Sequence, residues 1–487
     1  MTAGLTGTRI VVEPGRREGS PRNGPEADRT SRKDLKMRLD PSMNMALAAV
    51  LVAGSLAAAA GCGGGETAGE TEESMNGIAG HYVRLVLAVG EHDARYVDAW
   101  YGPEEMREEV RARRMTLLEI EEEADSLLMA LEPVEDAENE GILERRGRFL
   151  LKQLRALAAY TRILQGVDMT FDERTSALYD VTAAVSDTSG FAGTLSRIDE
   201  LLPPGEGTLA ERLERYRNDF IIPADSLEQV FAAAIDEARR RTRAHIDLPE
   251  GESFDVSYVT GKPWGAYNWY KGDAHSLIEV NTDLPSYIRS PVGLACHEGY
   301  PGHHAYNALL EKRMVEGRGW VEFSVYPLYS PLSLLAEGTA NFGIEVAFPG
   351  DERLEFEREV LYPLAGLDPS RAARYAEIDS LSRKLSAARV DAARMYLSGE
   401  ADVEKTVRFL TRWALLEPER AKKLVSFFDA YGTYIVNYYA GQDLVRDYVE
   451  KMGGTPGRPD RRWEVFGRLL TEPFVPSDLR RAVQESS

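Results

Sequence analysis

The sequence predicts a mainly α fold with one small β-sheet region. Three observations carry that expectation. Apolar residues recur at three-and-four spacing through most of the chain, and β-rich alternation is confined to about residues 252–282. Beyond it, two largely apolar stretches each open on a Ser-Pro pair, Ser290-Pro291 and Ser330-Pro331. Such a pair starts a helix: the hydroxyl caps free N–H groups and proline takes the first position, where no N–H is needed.

In chain order, residues 1–36 are polar, rich in Gly, Pro and Arg, and predict a disordered extension. Basic residues Arg32, Lys33, Lys36 and Arg38 then surround the start of a leader whose apolar run spans Met43 to Ala60, followed by Gly61-Cys62-Gly63. This is the layout of a secretory signal with a small-residue cleavage site. A Cys directly after small residues resembles a bacterial lipoprotein signal, with Cys62 as the lipidated residue, although Ala59 stands where such signals usually carry Leu. A plain signal peptide is the bland alternative, and Met37 or Met43 is a more ordinary start for either. Residues 1–62 are therefore expected to be leader and extension, 63–75 a flexible linker, and 76–480 a helical domain. The expected location is extracytoplasmic, with a membrane as partner through the N-terminal lipid.

Helical periodicity runs from about 76 to 245, as in Tyr82-Val83-Leu85-Val86-Leu87 and Phe149-Leu150-Leu151-Leu154-Leu157, with breakers at Pro203-Pro204-Gly205 and Pro223. Phe254-Asp255-Val256-Ser257-Tyr258-Val259 alternates as a strand, an aromatic loop follows over 263–270, and His275 to Asn281 returns as a second strand. Helices resume after Ser290. The formal net charge of −21 excludes a nucleic-acid partner, since a phosphate backbone would meet a repulsive field. The basic run Arg239-Arg240-Arg241 reads as a solvated helix face. Two cysteines, Cys62 and Cys296, allow neither a disulfide framework nor a multi-thiolate metal site.

Three of the seven histidines fall within eight residues, in Cys296-His297-Glu298-Gly299-Tyr300-Pro301-Gly302-His303-His304. A zinc hydrolase usually places two His one helical turn apart, so both imidazoles reach one metal, with a Glu beside the first to deprotonate water. Here Pro301 occupies the place of the second His. If Pro301-Gly302 bulges out, His303 or His304 can return to the metal instead. Downstream, Glu337 and Asn341 lie one turn apart on the otherwise apolar helix that begins at Ser330-Pro331. A carboxylate inside such a helix is costly to bury unpaired, a metal would stabilise it, and Asn341 can orient a liganding His from behind. The alternative for each residue alone is structural: Glu337 paired with an Arg, the histidines capping helices or packing.

The HExxPGHH pattern followed by a helix with a Glu-Gly pair, Glu337-Gly338, resembles the bacterial lipoprotein family known as domain of unknown function 885, grouped with zinc metallopeptidases of the HExxH type. The likeness runs over roughly residues 76–480 and includes Ala387-Ala388-Arg389-Val390 and Tyr438-Tyr439-Ala440-Gly441. It implies a large helical zincin-like metallopeptidase fold with one Zn2+ per chain. His297, one of His303 or His304, and Glu337 would be the ligands, with Glu298 as general base. Thr339-Ala340-Asn341 and Tyr431-Gly432-Thr433-Tyr434 depart from the family pattern and bear on substrate preference. The implied reaction is hydrolysis of a peptide bond, with Tyr438, or else Tyr434, stabilising the oxyanion. Leu277, Glu279 and Asn281 are expected on the strand that pairs with an extended peptide substrate. Arg389 or Arg394 would bind a free C-terminal carboxylate, as in a carboxypeptidase or dipeptidase. The rival functions are a zinc amidase or esterase, and a non-catalytic binding lipoprotein.

Overall fold

The computed structural model describes residues 10–11, 68–134, 141–185 and 190–485. The leader, with Cys62, lies outside the described residues. The fold is mainly helical with a small β region, as the periodicity predicts. Among the described residues, no helix is long and apolar enough to cross a membrane.

The first long helix, α1 (Ala68–His92), begins inside the stretch expected as linker. Its opening turns hold Glu72 and Glu73, acids that suit the positive end of a helix dipole. It buries Tyr82, Val83, Leu85, Val86 and Leu87, and α2 (Ile142–Leu164) buries Phe149, Leu150, Leu151, Leu154 and Leu157, so both periodic stripes face the core. On α2, the fully buried Arg146 grips Glu322 through Nε and Nη2, at 2.6 and 3.0 Å, and lies over the Trp320 ring. A buried charge is tolerated when it is paired in this way.

The main sheet has the order β1-β3-β5-β4. Two residues from the stretch expected to lack structure, β1 (Ile10–Val11), pair with β3 (Ser253–Val259). β3 runs parallel to β5 (His275–Asn281), and β4 (Ala266–Gly272) runs antiparallel to β5. The aromatic stretch expected as a loop is thus largely the edge strand β4. A second, two-stranded sheet joins β2 (Val97–Trp100) to β6 (Val325–Pro327). These strands of four and three residues are too short for a period to register.

The basic run on α3 (Leu227–Arg243) is not a uniform solvated face. Arg239 is buried against Glu252, while Arg240 and Arg241 pair with Glu237. In the centre, α6 (Pro331–Ala347), which follows helices α4 (Ser290–Leu294) and α5 (His303–Leu310), is buried on nearly every side. Ser330 caps it as expected, accepting from Ser333 N. Its crossing with α7 (Ile435–Lys451) is close because glycines meet there. A Cβ on Gly338 would lie 2.5 Å from the Gly441 carbonyl carbon, and one on Gly441 would lie 2.6 Å from the Leu334 oxygen.

That approach gives the first prediction. Gly338→Ala must separate two backbones, at a cost of about 1–3 kcal/mol for an overpacked core. Denaturant unfolding should show a lowered midpoint with little change of slope; an unmoved midpoint would contradict the close crossing.

Candidate metal centre

α4 runs into a π-helical turn, Ala295–Gly299, that carries His297 and Glu298. Ser290 is the first helical residue and not the expected cap; Arg289 takes that place. After the turn, Tyr300 is extended, the Tyr300–Pro301 peptide is cis, and α5 starts at His303. A Cβ on Gly302 would lie 1.9 Å from the His297 carbonyl oxygen, so only glycine lets the chain fold back this tightly. The return sets the His303 and His297 rings 4.7 Å apart although five residues lie between them.

Ligand atoms of His297, His303 and Glu337 lie within 4.8 Å of one another. His297 Nε2 is 3.2 Å from Glu337 Oε2, and His303 Nε2 is 3.6 Å from Glu337 Oε1. Neighbouring ligands of a tetrahedral zinc are about 3.3 Å apart, given bonds of about 2.0–2.1 Å. Glu337 Oε2 is buried and forms no hydrogen bond, despite its closeness to His297. Two imidazoles and a carboxylate with an unsatisfied oxygen are a donor set that fits zinc. Burial opposes the ionised form of Glu337, but the adjacent histidines hold its carboxyl well below the usual range. Burial likewise opposes the charged form of His297, and the nearby Glu337 and Glu298 carboxylates outweigh it, raising its pKa to about 9. His297 therefore holds its proton unless a metal ion replaces it.

His304 turns the other way. Ser276 Oγ donates to its Nδ1 at 2.9 Å, and its Nε2 donates to Glu252 Oε2 at 3.1 Å. Of the two, His303 is the one beside Glu337, because consecutive residues on a helix point about 100° apart. Glu252, which the sequence reading did not single out, is fully buried. It also accepts from Arg239, Arg243 and the Tyr300 hydroxyl, tying the motif loop to α3 and the sheet.

Around the ligand group, Tyr434 donates to Glu337 Oε1 at 2.8 Å and receives Ser333 Oγ at 3.1 Å. Tyr434 thus holds the Glu337 carboxylate in place. The Tyr438 hydroxyl has no hydrogen-bond partner among the described residues, and its ring lies 6.2 Å from that of His297. Asn341 donates to the Tyr438 carbonyl at 3.2 Å and is among the partners that raise the His297 pKa. Glu298 is buried and lines the same cleft, and burial raises its carboxyl pKa. Cys296 is fully buried, which pushes its thiol up to about 12 and removes it as a nucleophile.

The empty space of the cleft is about 590 Å³ when the open solvent at its mouth is included. Its strand wall is β4, through Ala266, Tyr267 and Asn268, together with Trp264. This corrects the expected role of β5, which is paired on both sides and has no free edge. Of its residues, Leu277 does not line the cleft and Glu279 accepts from the Trp269 indole. Asn281 donates to the Lys262 and Trp264 carbonyls, bracing the loop before β4. The expected carboxylate-binding arginines are also elsewhere: Arg389 donates to Tyr439, and Arg394 to Asp172 and the Ala183 carbonyl. One cleft residue escaped the sequence reading. Asp98 on β2 accepts from the Tyr267 hydroxyl, and burial raises its pKa to about 6. Its signal is a lone acid in Tyr96-Val97-Asp98-Ala99-Trp100-Tyr101.

No protein-family model matches this chain, and no curated protein matches it. Two solved structures are similar to it. One, described as a candidate lipoprotein from Colwellia psychrerythraea, has a TM-score of 0.48 and 14% identity, covering 76% of this chain and 69% of that one. The other, a candidate lipoprotein of unknown function from Shewanella oneidensis, has a TM-score of 0.38 and 14% identity over 79% of each chain. Likenesses this distant carry neither family nor function to this chain.

Glu252 generates a pH prediction. Its carboxyl falls from 4.5 to about 2: burial opposes ionisation, and hydrogen bonds from His304 and Tyr300, with the charge of Arg239, outweigh it. A depressed carboxyl pKa contributes stability that is present above the unfolded value and lost as pH falls through the folded one. Glu252→Gln should therefore cost about 3–5 kcal/mol near neutrality, as when a buried pair is broken. The gap from wild type should narrow as pH falls from about 4.5 toward 2. Denaturant titrations over that range check it, and a constant gap would contradict the assignment.

Proposed function

We propose that the chain is a zinc-dependent peptide hydrolase, with His297, His303 and Glu337 as ligands and Glu298 as general base. The observation that carries this reading is the convergence of three ligand atoms within 4.8 Å, one carboxylate oxygen among them buried and without a hydrogen bond. A zinc ion held there supplies Lewis acidity and lowers the pKa of water toward neutrality. Glu298 takes a proton from the attacking water at its carboxylate and delivers it to the leaving amine. Its raised pKa suits a group that must both accept and donate. The unpartnered Tyr438 hydroxyl is the donor for the developing oxyanion. An extended peptide can add to the edge of β4, where main-chain bonds hold it beside the ligand group.

Location rests on the leader, through which a lipid on Cys62 would tether the enzyme to the extracytoplasmic face of a membrane. A binding protein without turnover has no use for a buried carboxylate beside His297, which favours hydrolysis over that rival.

Purified protein should contain about one zinc per chain on this account. His297→Ala and Glu337→Ala should each lose it, as measured by elemental analysis after dialysis. Glu298→Gln should keep the zinc while peptide hydrolysis falls by roughly 10²–10⁴-fold. Wild type without zinc after dialysis against the ion would overturn the reading, as would full activity in Glu298→Gln.

A further inference from the structure

Asp98 takes no part in the chemistry above, yet its carboxylate lines the same cleft as the ligand group. The Tyr267 hydroxyl occupies its Oδ1. Among the described residues that line the cleft there is no Lys or Arg. No lysine or arginine of the lining is therefore available to pair with Asp98. A second, independent feature points the same way. Asn268 is 8% exposed, its Nδ2 is committed to the Glu298 carbonyl at 2.7 Å, and its Oδ1 is buried without a partner. The cleft thus offers a carboxylate and one unpaired amide oxygen, in a lining that includes the rings of Trp264, Phe427, Tyr431 and Tyr438.

We infer that Asp98, aided by Asn268 and the aromatic wall, binds an alkylammonium group of the substrate. The inference rests on the peptide-hydrolysis reading for its choice of ligand. An ammonium brings three N–H donors and a positive charge. The charge complements Asp98, a donor can satisfy Asn268 Oδ1, and ring faces attract a cation. A free carboxylate has the opposite prospects: Asp98 repels it, and neither Arg389 nor Arg394 is there to receive it. The substrate is therefore held by an amine and not by its C-terminus, which replaces the carboxypeptidase expectation. Two sources share this chemistry, the α-ammonium of an unblocked peptide and the ε-ammonium of a lysine side chain.

The test is equilibrium binding to zinc-loaded Glu298→Gln protein, whose turnover is slowed roughly 10²–10⁴-fold under the hydrolytic reading. Three otherwise identical tripeptides serve as probes: unblocked, N-acetylated, and N-acetylated with lysine at the first position. At least one amine-bearing peptide should bind roughly ten- to a hundredfold tighter than the acetylated one, the range of a hydrogen bond to a charged group. Preference for the unblocked peptide assigns the α-ammonium, and preference for the lysyl peptide assigns the side chain. Adding Asp98→Asn should abolish the preference. Tyr267→Phe, which leaves the carboxylate in place, should retain it and guards against a general loss of structure. Equal binding of all three peptides, or a preference that survives Asp98→Asn, overturns the inference. Failure of the hydrolytic reading looks different: wild type cleaves none of the peptides while Asp98-dependent binding persists.

Discussion

A carboxylate in the middle of a helix that is buried on nearly every side needs positive charge and hydrogen-bond donors around it. Glu337 is that carboxylate, and without compensation its burial costs several kcal/mol. The surrounding elements deliver the compensation from three directions. The π-helical turn brings His297, the start of α5 brings His303, and the Tyr434 hydroxyl comes from the segment leading into α7. The last of these depends on glycine, because α7 approaches α6 only where Gly338 and Gly441 leave room. The Glu-Gly pair thus joins two requirements, a buried carboxylate and the space for the helix that supports it.

The adjacent histidines divide the work of the motif. His303 faces Glu337, and His304 faces Glu252 on the far side of the loop. Glu252 gathers Arg239, Arg243, Tyr300 and His304, so the cis-proline return is held from behind by a buried ionic network. In a regular helix, a second His one turn on would reach the metal without such help. Replacing that turn with Tyr300-Pro301-Gly302 requires both the glycine contact against the His297 carbonyl and the anchor at His304.

Much of this was legible in the sequence because the informative residues break a local pattern. Glu337 is a charge in an apolar stripe, and a Ser-Pro start marks its helix. The histidines cluster within one short segment. Which of His303 and His304 faces the ligand group was not legible, since it depends on where α5 begins after the return. Strand order was hidden for a similar reason. His275 to Asn281 reads as a strand, but only the fold puts β5 inside the sheet and gives the edge to β4. Asp98 and Glu252 lie about 200 and 45 residues before His297, and no local period links such distant positions to the motif. The absence of a cleft cation is likewise a property of assembly, because Arg389 and Arg394 look available until their partners are known.

The central claim is that His297, His303 and Glu337 form one metal site closed by the Pro301-Gly302 return. The zinc K-edge absorption spectrum of the purified protein tests it most directly, because imidazole rings contribute countable scattering. The account predicts zinc bound only by nitrogen and oxygen at about 2.0–2.1 Å, with two imidazoles in wild type and one in His303→Ala. Three imidazoles in wild type, or a count that His303→Ala leaves unchanged, would contradict it.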